Sequence, residues 1–192
     1  MLMQQGAVMT TSHAIARPKG LHLWAIWLLL AMLALPGWAR AGFTFVSIDG
    51  GTIDLDDFRG QPVLVVNTAS LCAFAPQYDG LQALHDTYAK RGLVVLAVPS
   101  NDFDQELEDA AAVKEYCTAN FGLTIPMTDI TQVMGKGAHP FYKMLKADYG
   151  FSPRWNFNKV LIGPDGAMVD SWGSNTRPTS KAITGPIEAL LK

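Results

Sequence analysis

The chain is poor in the residues that bind metals and nucleic acids. It has two cysteines, Cys72 and Cys117, and four histidines in 192 residues. No Cys/His group has zinc-like spacing, so no metal site is expected. A Cys-x-x-Cys pair is also missing, because Ala73, Phe74 and Ala75 follow Cys72. That argues against a thiol–disulfide exchange protein. Basic residues number 15 against 17 acidic, a net charge of −2. A nucleic-acid binder wants a basic footprint, and none is present. Internal repeats, low-complexity tracts and an interdomain linker are absent too, which leaves one domain with a sizeable core.

Apolar residues, by contrast, are plentiful at 49%, and the surplus lies at the front. Arg17 and Lys19 precede an apolar run from Leu21 to Leu35, broken only by His22. Pro36-Gly37 and then Ala39-Arg40-Ala41 follow. A positive start, an apolar stretch of about 15 residues and an A-x-A site form the pattern of a secretory leader. The run is shorter than the roughly 20 residues of a membrane span. Cleavage is therefore expected after Ala41, with residues 42–192 as the exported domain, most simply in a bacterial periplasm. Left uncleaved, the leader would be the protein's one membrane contact. Disulfides persist in such compartments, so both cysteines are read against an oxidising background.

Along the domain, Phe43 to Val46 alternates and IDGG at 48–51 is a hairpin signal. PVLVV (62–66) and LVVLAV (93–98) read as strands buried on both faces. Between them, Leu81, Leu84 and Tyr88 recur at helical spacing over 78–90, and Gly92 ends the pattern. Helices are further predicted over 107–121, over HPFYKMLKADYG (139–150) and from about 180 to 191. KVLIG (159–163) and AMVDSW (167–172) flank the turn Pro164-Asp165-Gly166. This order predicts an α/β three-layer sandwich with helices on both faces of the sheet. Its first βαβ unit should be parallel and right-handed. The loop holding Cys72 then leaves the carboxyl end of a central strand, where ligands gather in open α/β sheets.

Cys72 has three readings from its loop alone: a buried inert thiol, half of a structural disulfide, or a nucleophile. A thiol reacts as its thiolate, which a helix N-terminus or a nearby cation favours. A helical pattern begins just after Cys72, so unpaired backbone N–H groups and the positive helix end could face the sulfur.

The stretch Asn67 to Gly80, then GLVVLAVPSNDF, Gln105-Glu106, AHPFYKMLK and RWNFNKVLIGPDG resembles the glutathione peroxidase family from about Phe43 to the C-terminus. The most specific piece is Trp155-Asn156-Phe157 with Lys159, taken together with the Cys72 loop. The resemblance implies a thioredoxin-like fold with a mixed central sheet, reduction of hydroperoxides and no cofactor. It makes Cys72 the peroxidatic residue and Gln105, Trp155 and Asn156 its polar partners. Their amide and indole N–H groups can donate to a thiolate and to the oxygen that leaves with charge. Cys117 matches the resolving cysteine of thioredoxin-dependent members, in which the two cysteines close a disulfide that an external dithiol reduces. A permanent structural disulfide is the rival for exactly two cysteines in an exported protein. The short segment ADYGFSPR before Trp155 points, by the same resemblance, to a monomer reduced by a thioredoxin-like dithiol protein, with glutathione as the other candidate donor.

The chain departs from the family pattern in places. Leu71 stands where many relatives have Lys, which removes a cation beside the sulfur. Ala73 replaces a Gly. Ser100 and Asp102 occupy the loop usually written Pro-Cys-Asn-Gln-Phe, and a single Asp104 stands for the glycines before Gln105. Charges at Asp102 and Asp104 would disfavour a thiolate if they came near it. Asp104, Glu106, Glu108 and Asp109 read as a solvated face. Two other readings remain open: a non-catalytic redox sensor or binding module of this fold, and an exported thiol–disulfide oxidoreductase.

Overall fold

The computed structural model describes residues 42–191. The expected leader, residues 1–41, lies outside the described residues. Strands β1 (Thr44–Val46) and β2 (Thr52–Asp54) form an antiparallel hairpin. Its turn is possible because Gly50 and Gly51 take φ of 90° and 74°, a region that favours glycine. Strands β3 (Val63–Thr68), β4 (Val94–Pro99), β5 (Lys159–Ile162) and β6 (Met168–Trp172) make one mixed sheet in the order β4-β3-β5-β6. β3 pairs parallel with β4 and antiparallel with β5, and β5 pairs antiparallel with β6. The predicted βαβ unit is thus present. Its crossover is α1 (Gln77–Tyr88), extended by a 3-10 turn over Ala89–Arg91 and stopped at Gly92 with φ of 104°.

Alternation along the strands sorts the core into two layers, as the two-residue period of a strand requires. Leu64 and Val66 of β3, Val95 and Ala97 of β4 and Leu161 of β5 pack on one face. They meet Leu81 and Leu84 of α1, with α2 (Ala110–Phe121) and α4 (Lys181–Leu190) on the same side. Val63, Val65, Leu96, Val98 and Val160 point to the other face, where Phe141, Tyr142 and Leu145 of α3 (Pro140–Tyr149) and Phe45 of the hairpin cover them. This is the three-layer arrangement read from the sequence. No helix among the described residues is long and apolar enough to cross a membrane.

One helix boundary differs from expectation. The pattern predicted a helix from residue 107, yet α2 begins at Ala110. Asp109 is extended, with φ −142° and ψ 160°, and its carboxylate accepts from Ala112 N at 2.8 Å. Such an N-cap contributes about 1 kcal/mol and stops the helix from growing backward. Residues 105–108 are thereby released to dock on the Cys72 loop.

Candidate active site

β3 ends at Thr68, and the chain then turns through residues 69–76 before α1. Cys72 sits in that turn with 5% of its surface exposed. Phe74 N–H points at its sulfur at 3.5 Å. Bonds from Ala75 N to Cys72 O (2.9 Å) and from Gln77 N to Phe74 O (2.8 Å) shape the turn. Cys72 therefore stands in the turn preceding the helix rather than in its first turn, and the amide that reaches the sulfur belongs to that turn. Its neighbour Leu71 is 61% exposed.

The loop before α2 is fastened against this turn. Leu71 N donates to Gln105 O and Ser70 N to Glu106 Oε1, each at 2.9 Å. Glu106 Oε1 also accepts from Leu107 N at 2.9 Å, and Glu106 N donates to Asn101 Oδ1 at 3.0 Å. The reversal that brings Gln105 here runs through Asp104, which takes φ of 56°. Aspartate tolerates that left-handed region better than most residues, which is how a single Asp serves where the family pattern has glycines. Asp102 directs its carboxylate to Val133 N (2.6 Å) and Met134 N (2.8 Å), so its charge is committed to backbone donors.

The Trp155–Asn158 turn is clamped to the end of β3 by Asn67. Asn67 Nδ2 donates to Trp155 O (3.1 Å), Asn67 Oδ1 accepts from Asn158 N (3.1 Å), and Asn67 O accepts from Phe157 N (2.6 Å). Phe157 has φ of 59°, a strained value for an aromatic residue, held by this clamp. Ser174 Oγ adds a bond to Asn156 O at 2.6 Å. Asn156 is fully buried, and its Nδ2 donates to Gln105 Oε1 at 3.0 Å. Gln105 and Asn156 are thus brought together beside the Cys72 turn. Trp155 is 41% exposed, with its ring 5.3 Å from that of Phe103. Among the described residues no hydrogen bond joins Cys72 Sγ to Gln105, Trp155 or Asn156; the bond it accepts is from Phe74.

Cys117 lies in the middle of α2, on the face turned to the same core layer as Cys72, Tyr78 and Phe157, and is 1% exposed. Burial pushes its thiol up to about 11. Glu106 acts in the same direction, while the Tyr78 and Ser70 hydroxyls pull it back. Both cysteines are free thiols.

Two charged residues gave no sign of their burial in the sequence, although Lys159 belongs to the motif that carries the family resemblance. Glu106 was expected on a solvated face, but it is 7% exposed, and burial raises its carboxyl above the usual range. Its two backbone bonds to Ser70 and Leu107 draw it inward. Lys159 is a fully buried lysine. Its Nζ donates to Gln77 Oε1 (2.5 Å), Thr176 O (2.8 Å) and Ser174 O (3.4 Å), tying the loop after β6 to the first residue of α1. Burial brings it down to about 7, and the three acceptors favour the charged form against that pull.

The family model of glutathione peroxidase matches residues 41–146. The chain is 38% identical over 141 residues to a glutathione peroxidase of Lactococcus lactis subsp. cremoris, covering 71% of this chain and 90% of that protein. It is likewise 38% identical over 164 residues to the hydroperoxy fatty acid reductase gpx1 of a Synechocystis species, covering 78% and 94%. Among solved structures, apo Trgpx superposes with a TM-score of 0.60 at 33% identity, over 77% of this chain and 92% of that one. A thioredoxin-family thiol:disulfide interchange protein of Chlorobium tepidum superposes at 0.59 with 18% identity, over 79% and 94%. That last likeness concerns the thioredoxin-like fold alone.

Proposed function

The chain belongs to the glutathione peroxidase family, and from that premise we propose that Cys72 is the peroxidatic nucleophile and Cys117 the resolving thiol. The protein is a thiol-dependent peroxidase. In the first step the Cys72 thiolate attacks the terminal oxygen of a hydroperoxide. The S–O bond forms, the O–O bond breaks, and the leaving oxygen takes up a proton to depart as water or an alcohol. Gln105 and Asn156 hold donors for that departing charge, and Trp155 walls the approach. In the second step Cys117 attacks the sulfenic sulfur, forming the disulfide and releasing water. A thioredoxin-like dithiol protein, or glutathione, then restores both thiols.

The observation that carries this reading is the Gln105–Asn156 pair, joined at 3.0 Å and bonded through Leu71 to the turn that bears Cys72. Three separate segments converge there, and packing alone does not require two amides to meet beside a thiol. The two free, buried thiols support a catalytic pair over a permanent bridge. Export as a monomer completes the reading. It is supported by the leader pattern in residues 1–41, by a family match that begins at residue 41, and by the short segment between α3 and Trp155.

Stopped-flow oxidation by hydrogen peroxide and by a lipid hydroperoxide tests the assignment. Cys72→Ser should consume neither. Cys117→Ser should take one equivalent and stop, with Cys72 trapped as sulfenic acid by mass spectrometry. Full dithiol-driven turnover by Cys117→Ser would leave Cys72 acting alone and remove the second step.

A further inference from the structure

Four polar side-chain atoms are buried around the Cys72 turn and the core face of α2 with no hydrogen bond of ordinary length, although they lie near one another: Thr68 Oγ1, Ser70 Oγ, Tyr78 OH and Glu106 Oε2. Orphaned buried polar atoms are rare in folded proteins, and each costs stability. Four in one place form a group. They come from three elements: the end of β3 and its loop supply Thr68 and Ser70, α1 supplies Tyr78, and the loop before α2 supplies Glu106. They surround the Cys117 thiol, which shares its buried core layer with Tyr78, while Ser70 N is bonded to Glu106 Oε1 at 2.9 Å. Ser70 and Tyr78 come near enough to the sulfur, and Glu106 near enough to both Tyr78 and Cys117, to shift their titration. The titratable members are Tyr78, Glu106 and Cys117; Thr68 and Ser70 bring hydroxyls, and the loop after β3 also carries the Cys72 thiol of the same core layer. Glu106 Oε1 is anchored by two backbone amides, which leaves Oε2 as the free acceptor of the group.

Resting on the reading of Cys117 as the resolving thiol, we propose that Glu106 is the proton acceptor for Cys117 when the Cys72–Cys117 disulfide closes, reached through the buried hydroxyls of Ser70 and Tyr78. A neutral buried thiol is a poor nucleophile, because the thiolate is the attacking species. The proton moves from Cys117 Sγ through a hydroxyl to Glu106 Oε2, the S–S bond forms, and the S–O bond of the Cys72 sulfenic acid breaks. The displaced hydroxide takes a proton from solvent and leaves as water. Glu106 returns its proton to solvent after the disulfide has formed. The backbone anchors hold Glu106 in position for this role without consuming the acceptor that performs it.

The test is single-turnover disulfide closure from preformed Cys72 sulfenic acid, followed by acid quench and thiol alkylation, between pH 5.5 and 10. In the native protein the rate should be nearly flat across the thiol range, from about pH 7.5 to 9, because the carboxylate supplies the base. It should fall on the acid side as Glu106, raised by burial, takes up a proton. A tenfold rise per pH unit through the ordinary thiol range near 8.5 would place ionisation in solvent after local opening and would overturn the proposal. Glu106→Gln keeps an Oε1 to accept from Ser70 and Leu107 but has no basic oxygen. Closure in it should fall at least tenfold at pH 7 and acquire that tenfold rise, with the cooperative melt retained. A native rate and profile in Glu106→Gln would dismiss Glu106. Cys117→Ser, which should form no disulfide at any pH, separates this failure from failure of the resolving-thiol assignment. Should Glu106→Gln not fold, the native pH profile decides the question by itself.

Discussion

Cys72 and Cys117 are both buried free thiols, yet their surroundings differ in backbone, neighbours and hydrogen bonding. Cys72 sits in a turn between the exposed Leu71 and Ala73, with a backbone amide on its sulfur and an amide pair beside it. Cys117 sits inside a regular helix, shielded from water, with its thiol pushed up to about 11. In the proposed mechanism the thiol with exposed neighbours on either side meets the peroxide, and the other is kept protonated inside its helix. The difference imposes an order on the chemistry. A peroxide that met both thiols equally would leave no reduced partner to close the disulfide.

Disturbing the Cys72 side should give the largest effect. Asn156→Ala removes the donor to Gln105 Oε1 and frees that amide to turn away. Second-order oxidation of Cys72 should fall about 100-fold, or about 2.7 kcal/mol, as loss of one preorganised donor does elsewhere. Intrinsic fluorescence in a stopped-flow instrument gives the rate. A loss under threefold would make the pair a packing detail.

On the Cys117 side the consequence is in stability. The folded thiol titrates near 11, against 9.0 as its ordinary value. As pH rises past 9 the unfolded chain loses its proton first, so folding holds more protons there and stability falls with pH. The contribution is complete below about 9 and is lost as pH passes 11, amounting to about 2–3 kcal/mol. Cys117→Ser lacks this titration. Urea melts at pH 8 and pH 10.5 should therefore show a smaller alkaline loss in the variant than in the native protein. Equal losses in the two would mean that Cys117 is not the group responsible.

The smallest effect should come from sharpening the contrast itself. Leu71→Lys places a cation beside Cys72 at an exposed position, where solvent and salt weaken its field. Oxidation of Cys72 should quicken by about two- to fivefold at low ionic strength, and the gain should shrink in 0.5 M salt. A gain that ignores salt would point to a packing change instead.

The strands, the βαβ unit, both hairpins and the apolar faces of the helices were legible in the sequence, because each is written in a local period of two or of 3.6 residues. Cys72, Gln105, Trp155 and Asn156 were expected as a set through the family resemblance, and of these the structure joins Gln105 to Asn156. Glu106 and Lys159 were misread or passed over for one reason: charged residues are ordinarily exposed. Nothing local announces that two backbone amides will draw Glu106 inward, or that Gln77 and two carbonyls will surround Lys159. The start of α2 escaped for a related cause, since Asp109 caps a helix there while Leu107 packs against the core.

Fold class and the presence of helices on both faces of the sheet follow from the sequence by itself, for they depend on residue type and spacing. Which charged groups are buried, which amides meet, and that Cys117 faces Ser70, Tyr78 and Glu106 were decided by the tertiary structure alone. The contacts that join separate segments span long stretches of chain, 36 positions for Ser70 with Glu106 and 51 for Gln105 with Asn156. Desolvation, which tunes each group, exists once the sheet and its helices have closed around them.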